Sequence, residues 1–200
     1  MANLDRSAKS SSDWTPCDLK AFNIKIQLED AATFFGIPNL PLPVIDEEIF
    51  TSLNGEDMLL DHNAELIHLL DLAMEPVLAG ETAVDDFTVE LLRRLGYVKR
   101  NRIAHTQKDI PYLICGEWEH AKPDICLLNH LQNDILLIIQ EDKHHYRHSP
   151  QPQLIAEAIA AFDCNNTNRL QLRMRGEAAT IESKVCDSHN FVGVLHSLAM

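Results

Sequence analysis

The sequence predicts an α/β (α+β) fold, a sheet flanked by helices, on three observations. Two short apolar runs rich in branched residues, 125–128 and 135–139, are separated by the polar stretch 129–134, which is the pattern of an antiparallel hairpin. Phe87, Leu91, Leu92 and Leu95 recur at helical spacing ahead of Gly96. Leu154, Ile155, Ala158, Ile159 and Phe162 do the same after Pro152, a residue suited to the first turn of a helix.

Each element has its own signal. Ile24-Lys25-Ile26-Gln27-Leu28 alternates like a strand, and Pro38, Pro41 and Pro43 then read as a linker. A helix over 63–74 shows Leu66, Leu69, Leu70 and Ala73 on one face, with Pro76 as its break, and packs on the core as an extra N-terminal helical layer. Asp85 or Asp86 caps the next helix, which Gly96 stops. Tyr112-Leu113-Ile114-Cys115, after Pro111, is a first strand, and the hairpin and the Pro152 helix follow. Beyond Asn165 the chain turns polar, without sustained apolar periodicity, so a loop or disorder is expected until a last short strand in 191–195. The segments are therefore 1–45 as extension and linker, 46–165 as core, 166–190 as a polar segment and 191–200 as a final strand and terminus.

The hairpin ends carry the chemistry. Pro123-Asp124 precedes its first strand, and Glu141-Asp142-Lys143 follows its second. Side chains alternate along a strand, so Glu141 and Lys143 share one face while Asp142 points to the other. An even loop centred near Leu131 and Gln132 sets Asp124 opposite Ile139, on the face of Glu141, and a slip of one residue separates them. Two carboxylates and a lysine gathered this way suit a hard cation such as Mg²⁺ or Mn²⁺, with Asp124 and Glu141 as ligands and the Asp142 carbonyl as a further one. The cation, or the Lys143 ammonium, relieves the repulsion between the acids. The same residues also describe an exposed cross-strand ion pair worth under about 1 kcal/mol. Asp18-Leu19-Lys20 and Glu182-Ser183-Lys184 satisfy the same triplet without the paired strand or the upstream Pro-Asp. Context alone selects the middle one.

With Pro123-Asp124 followed by Glu141-x-Lys143, the chain resembles the PD-(D/E)XK nuclease superfamily, whose fold is restriction-endonuclease-like. The block 82–165, with Cys115-Gly116-Glu117-Trp118 and Gln140-Glu141-Asp142-Lys143, is also similar to uncharacterised nuclease-like proteins of mushroom-forming fungi. The resemblance implies a core of helix, three antiparallel strands, helix and strand around a central mixed sheet. It further implies metal-dependent hydrolysis of phosphodiester bonds in DNA or RNA. Asp124, Glu141 and Lys143 would be catalytic, and an acid of the first helix, Glu90, would be a further metal ligand. Glu117 and Glu119 are weaker alternatives to Glu90. The fungal relatives continue with more sheet at the C-terminus, so a shortened chain is also an expectation.

Composition sets the limits. A chain of 200 residues, 46% hydrophobic and 24% charged, suffices for one core of ordinary size. It has no apolar run of membrane-spanning length, and 1–12 is polar and serine-rich, so no membrane partner and an intracellular location are expected. Five cysteines without a C-x-x-C pair support neither a disulfide framework nor a zinc knuckle, and Cys115 and Cys126 read as small core residues. A net charge of −13 argues against a broad nucleic-acid surface. Local basic residues remain: Arg93, Arg94, Lys99, Arg100 and Arg102, then Lys108, then Arg147 beside His144, His145 and His148. Those histidines lack a second cluster at zinc-ligand spacing and read as an exposed loop. No phosphate-binding glycine loop, nucleophile elbow or dinucleotide fingerprint occurs. Two functions stand: a metal-dependent nuclease, and a catalytically inactive binding module of the same fold.

Overall fold

The computed structural model describes residues 6–27, 29–36, 39, 45–75, 80–131, 133–141, 151–171, 183–188 and 191–196, the backbone alone for 31, 80, 81, 140, 141, 183–188 and 191–196. The architecture is mixed α/β. The chain divides into two compact units, 40–104 and the remainder.

In the remainder, the first helix, α1 (Pro16–Ala21), opens with a capping box between Thr15 and Asp18. Asp18 also pairs with Lys9 at 2.7 Å, which accounts for this acid without any catalytic role. A short helix, α2 (Ala31–Phe35), ends at Gly36 with φ +67°, where a left-handed residue is needed. Ile24 and Ile26 alternate as expected, yet they pair with no strand among the described residues. They pack instead on Trp14, Leu19 and Ile155, so their alternation serves a helix surface rather than a sheet.

The 40–104 unit is helical, with α3 (Glu48–Thr51), α4 (Asp61–Met74) and α5 (Gly80–Arg94). Buried Asn63 on α4 donates to Asp46 at 3.2 Å and to Glu48 at 2.8 Å, fixing the preceding segment to the helix. Helix α5 begins more than a turn before the expected Asp85 or Asp86 cap, and Asp85 is a buried residue within it. Its end is as expected: Gly96 has φ +73°, its N–H reaches the Arg93 carbonyl at 3.0 Å, and that of Tyr97 reaches Leu92 at 2.9 Å.

Strand β1 (Arg102–Thr106) follows, then β2 (Ile110–Ile114) and β3 (Glu117–Ala121), which form a separate two-stranded sheet. The expected first strand is β2, but its partner is this neighbour. Cys115 and Gly116, at φ +52° and +88°, make the two-residue turn between them. Cys115 is accordingly exposed rather than in the core, whereas Cys126 is wholly buried.

Strands β4 (Ile125–Asn129) and β5 (Asp134–Glu141) form the anticipated hairpin inside a five-stranded sheet. Helix α6 (Gln151–Gln171) covers it, and β6 (Ser183–Ser188) and β7 (Phe191–His196) complete the sheet in the order β1-β4-β5-β7-β6. The pairings β4–β5, β5–β7 and β6–β7 are antiparallel: after α6 the chain enters the sheet at its edge as β6 and turns back as β7 beside β5.

Two further expectations fail after Asn165. The helix runs on to Gln171, and β6 occupies part of the segment expected as loop. Both have physical reasons. Asn165, Asn168 and Arg169 hold β5 and the residue before it with their side chains, so polar residues extend the helix usefully. Strand β6 lies at the sheet edge, where polar residues such as Lys184 and Asp187 are tolerated and no apolar run is needed.

The core lies between α6 and the strands. Cys126 and Leu128 of β4 and Ile135 and Ile138 of β5 pack with Leu154, Ala158 and Ala161 of α6. Ile135 and Ile138 are three positions apart, which simple alternation forbids. A β-bulge resolves the conflict: Leu128 faces Ile135, Leu127 faces Leu137, and Leu136 is the extra residue.

Candidate functional site

The bulge decides the site's geometry. At the turn the register is the expected one, Asn129 facing Asp134 across a four-residue loop. Past Leu136 it is shifted by one, so Ile125 rather than Asp124 faces Ile139, and Asp124 stands level with Gln140. Strand alternation therefore does not carry Asp124 to the face of Glu141. A branched apolar run contains no mark of the extra residue, and the sequence could not reveal it.

Asp124 occupies a bend just before β4, between buried Pro123 and buried Ile125, and is itself half-buried. Its carbonyl accepts from the Gln107 N–H at 2.9 Å. Glu141 closes β5, its backbone paired with Phe191. The side chain of Glu141, together with Asp142, Lys143, His144, His145, Arg147 and His148, lies outside the described residues, as does Glu182 of the last triplet.

Glu90 belongs to the helical unit. It is 5% exposed and engages Arg93 at 3.0 Å and Arg94 one turn on, lining a cleft of about 420 Å³ with Asn63, Asp46 and His62. Glu117 is exposed on β3 and Glu119 half-buried. Lys108 is half-buried and near enough to Cys126 to favour its thiolate, although burial still pushes that thiol up to about 12. Cys126 is thus an inert packing residue at neutral pH.

The structure adds an acid that sequence reasoning missed. Glu157 of α6 is 0% exposed. Its Oε1 accepts from Gln153 Nε2 at 3.0 Å and from Ser11 Oγ at 3.5 Å, while its Oε2 has no hydrogen-bond partner. Burial, reinforced by the nearby Asp124 charge, pushes its carboxyl up to about 8 against the Gln153 and Ser11 hydrogen bonds. Glu157 was hidden among Ile155, Ala156 and Ala158, where the apolar stripe invited a packing interpretation. Its one sequence signal is a lone acid inside that stripe with Gln153 one turn before it.

Such an acid makes stability pH-dependent. With the folded pKa above the unfolded one, the native state binds more protons between about pH 4.5 and 8, so stability falls as pH rises through that window. In metal-free buffer, Glu157→Gln removes this slope and above pH 8 becomes the more stable protein by a few kcal/mol, since one pKa unit is worth about 1.4 kcal/mol. Urea melts of both proteins from pH 5 to 9 check it; parallel profiles contradict it.

Among the described residues, no three His, Cys, Asp or Glu side chains come together to hold a metal ion. The charge of Asp124 disfavours ionisation of Glu157, and the second carboxylate oxygen of Glu157 is buried without a hydrogen-bond partner. No helix among the described residues is long and apolar enough to cross a membrane. Comparison with family models, with curated proteins and with solved structures gives no match for this chain.

Proposed function

We propose that the protein is a metal-dependent nuclease of the PD-(D/E)XK type, intracellular, hydrolysing phosphodiester bonds of DNA or RNA. One observation carries the reading: Asp124 immediately precedes β4 and Glu141 ends β5, so both acids stand at the open end of one antiparallel hairpin inside the sheet. The order α5, β1, then the β4–β5 hairpin, α6 and closing strands supports it, with β2–β3 as an inserted hairpin.

In this reading Asp124 and Glu141, with the Asp142 carbonyl, hold Mg²⁺ or Mn²⁺, and Lys143 orients the attacking water and offsets charge on the phosphoryl oxygens. The bound cation supplies polarisation of the phosphate and a more acidic water. Glu90 is already held by two arginines of its own helix, and the reading does not require it. The net charge of −13 confines nucleic-acid contact to local basic residues.

The bulge favours a second reading, a catalytically inactive module of the same fold that binds a partner or nucleic acid, because the shifted register sets Asp124 off the face of Glu141. Incubation with single- and double-stranded DNA and RNA separates the two. The nuclease cuts at least one of them with Mg²⁺ or Mn²⁺ and none with EDTA; intact substrates throughout leave the binding module.

A further inference from the structure

We infer that the turn after α5, with Tyr97, Lys99, Arg100 and Arg102, is a surface that holds a single strand of DNA or RNA. The inference rests on the proposed function for its nucleic-acid partner and names the contact and the form of that partner; it does not depend on Asp124 or Glu141. Residues 91–104 contain five Lys or Arg and no acid, in a chain where Asp and Glu outnumber Lys and Arg by 30 to 17. Arg93 and Arg94 are accounted for, since both pair with Glu90 within α5. Among the described residues no acid pairs with Lys99, Arg100 or Arg102.

The fold sets those three together. Gly96 ends α5, and the chain then makes a tight turn in which Lys99 and Arg102 exchange both backbone hydrogen bonds at 3.0 Å, with Arg100 and Asn101 at its tip. Lys99 and Arg102 are therefore directly opposed, and like charges so placed destabilise a strand pair. Lys99 and Arg100 are exposed and Arg102 is half-buried. A row of phosphates offsets the repulsion that no acid among the described residues offsets. Tyr97, 41% exposed, stands two residues before Lys99 and outside the helix. A duplex or an acidic protein has no use for an exposed aromatic ring here, whereas an unpaired base stacks on one, so cations beside Tyr97 favour a single strand.

Fluorescence anisotropy with a labelled oligothymidylate tests this on the full chain, in EDTA so that metal-dependent cleavage is silent. Wild type is expected to bind this strand more tightly than its duplex with oligoadenylate, and polyglutamate should not displace it. With three cations on phosphates, log affinity should fall against log salt with a slope of roughly −2, at about −0.7 per cation. Changing Lys99→Gln and Arg100→Gln together should weaken binding roughly tenfold or more and make the slope shallower by about 1.4. Tyr97→Ala should weaken binding about fivefold or more with the slope unchanged, and Tyr97→Phe should bind like wild type. The slope and the preference for the single strand are read on wild type alone, so neither depends on how a variant folds. No binding by wild type, equal or tighter binding of the duplex, displacement by polyglutamate, or unchanged affinity and slope in the double variant overturns the inference. Cleavage is scored separately with Mg²⁺. Binding lost in the double variant while wild type cuts nothing sinks the nuclease reading alone, whereas cleavage by wild type with binding unchanged in the double variant sinks this inference alone.

Discussion

Asn165→Ala should destabilise the protein by about 3 kcal/mol or more, from two buried backbone groups left unpaired at roughly 1–3 kcal/mol each. Asn165 is 4% exposed, and its amide clasps Ile135 at both ends, accepting from its N–H at 2.7 Å and donating to its carbonyl at 2.8 Å. The reason lies in the sheet. Among the described residues β7 pairs with β5 only from Leu137 onward, so on the side away from β4 no described strand pairs with Ile135. The side-chain amide of Asn165 stands in for that strand. Asn168 Nδ2 adds a bond to the Asn133 carbonyl at 3.0 Å, and Arg169 pairs with buried Asp134 at 3.1 Å. Asn165→Asp keeps the acceptor but loses the donor, and should fall below wild type as well. Since domains are stable by only about 5–15 kcal/mol, the loss is large, and a fall in melting temperature of roughly 10 °C is the expected size. An alanine variant as stable as wild type would show that water replaces the clasp.

The second large effect concerns the reaction. On the proposed nuclease reading, Asp124→Asn should reduce metal-dependent cleavage by about a hundredfold to a thousandfold, the scale on which single electrostatic contributors act. Asparagine keeps size and one oxygen but removes the charge that balances a dication. The carbonyl contact of Asp124 to Gln107 is main-chain and survives the change, and a thermal melt of the variant checks its folding. Unchanged cleavage in Asp124→Asn would remove this residue from the site.

The parts of the fold visible in the sequence are those with local causes. Gly96 stops α5, Pro152 begins α6, and the polar stretch 129–134 makes the hairpin turn with the even loop foreseen. Other parts depend on distant partners and left no local mark. Strand β3 reads Glu-Trp-Glu-His-Ala, mostly exposed, and is a strand because it pairs with β2 across Cys115-Gly116. The last turns of α6 exist for what Asn165 and Arg169 reach on β5. The extra residue Leu136 sits in a run of like side chains, where only the need to bury both Ile135 and Ile138 betrays it.

The candidate site shows the same division. Asp124 and Glu141 were marked by their places at the hairpin ends, and the structure keeps them there. Their relative facing was set by the bulge and was not legible. Glu157 is buried by the tertiary packing of α6, which no motif spacing marks.

Cleavage by wild type and Lys143→Ala under identical Mg²⁺ conditions bears most directly on the nuclease reading. Lysine at this position has no part in holding the cation, so Lys143→Ala should still bind Mn²⁺ like wild type while cleavage falls by roughly a hundredfold or more. Equal cleavage by the two proteins, or none by wild type on any DNA or RNA substrate, would contradict it.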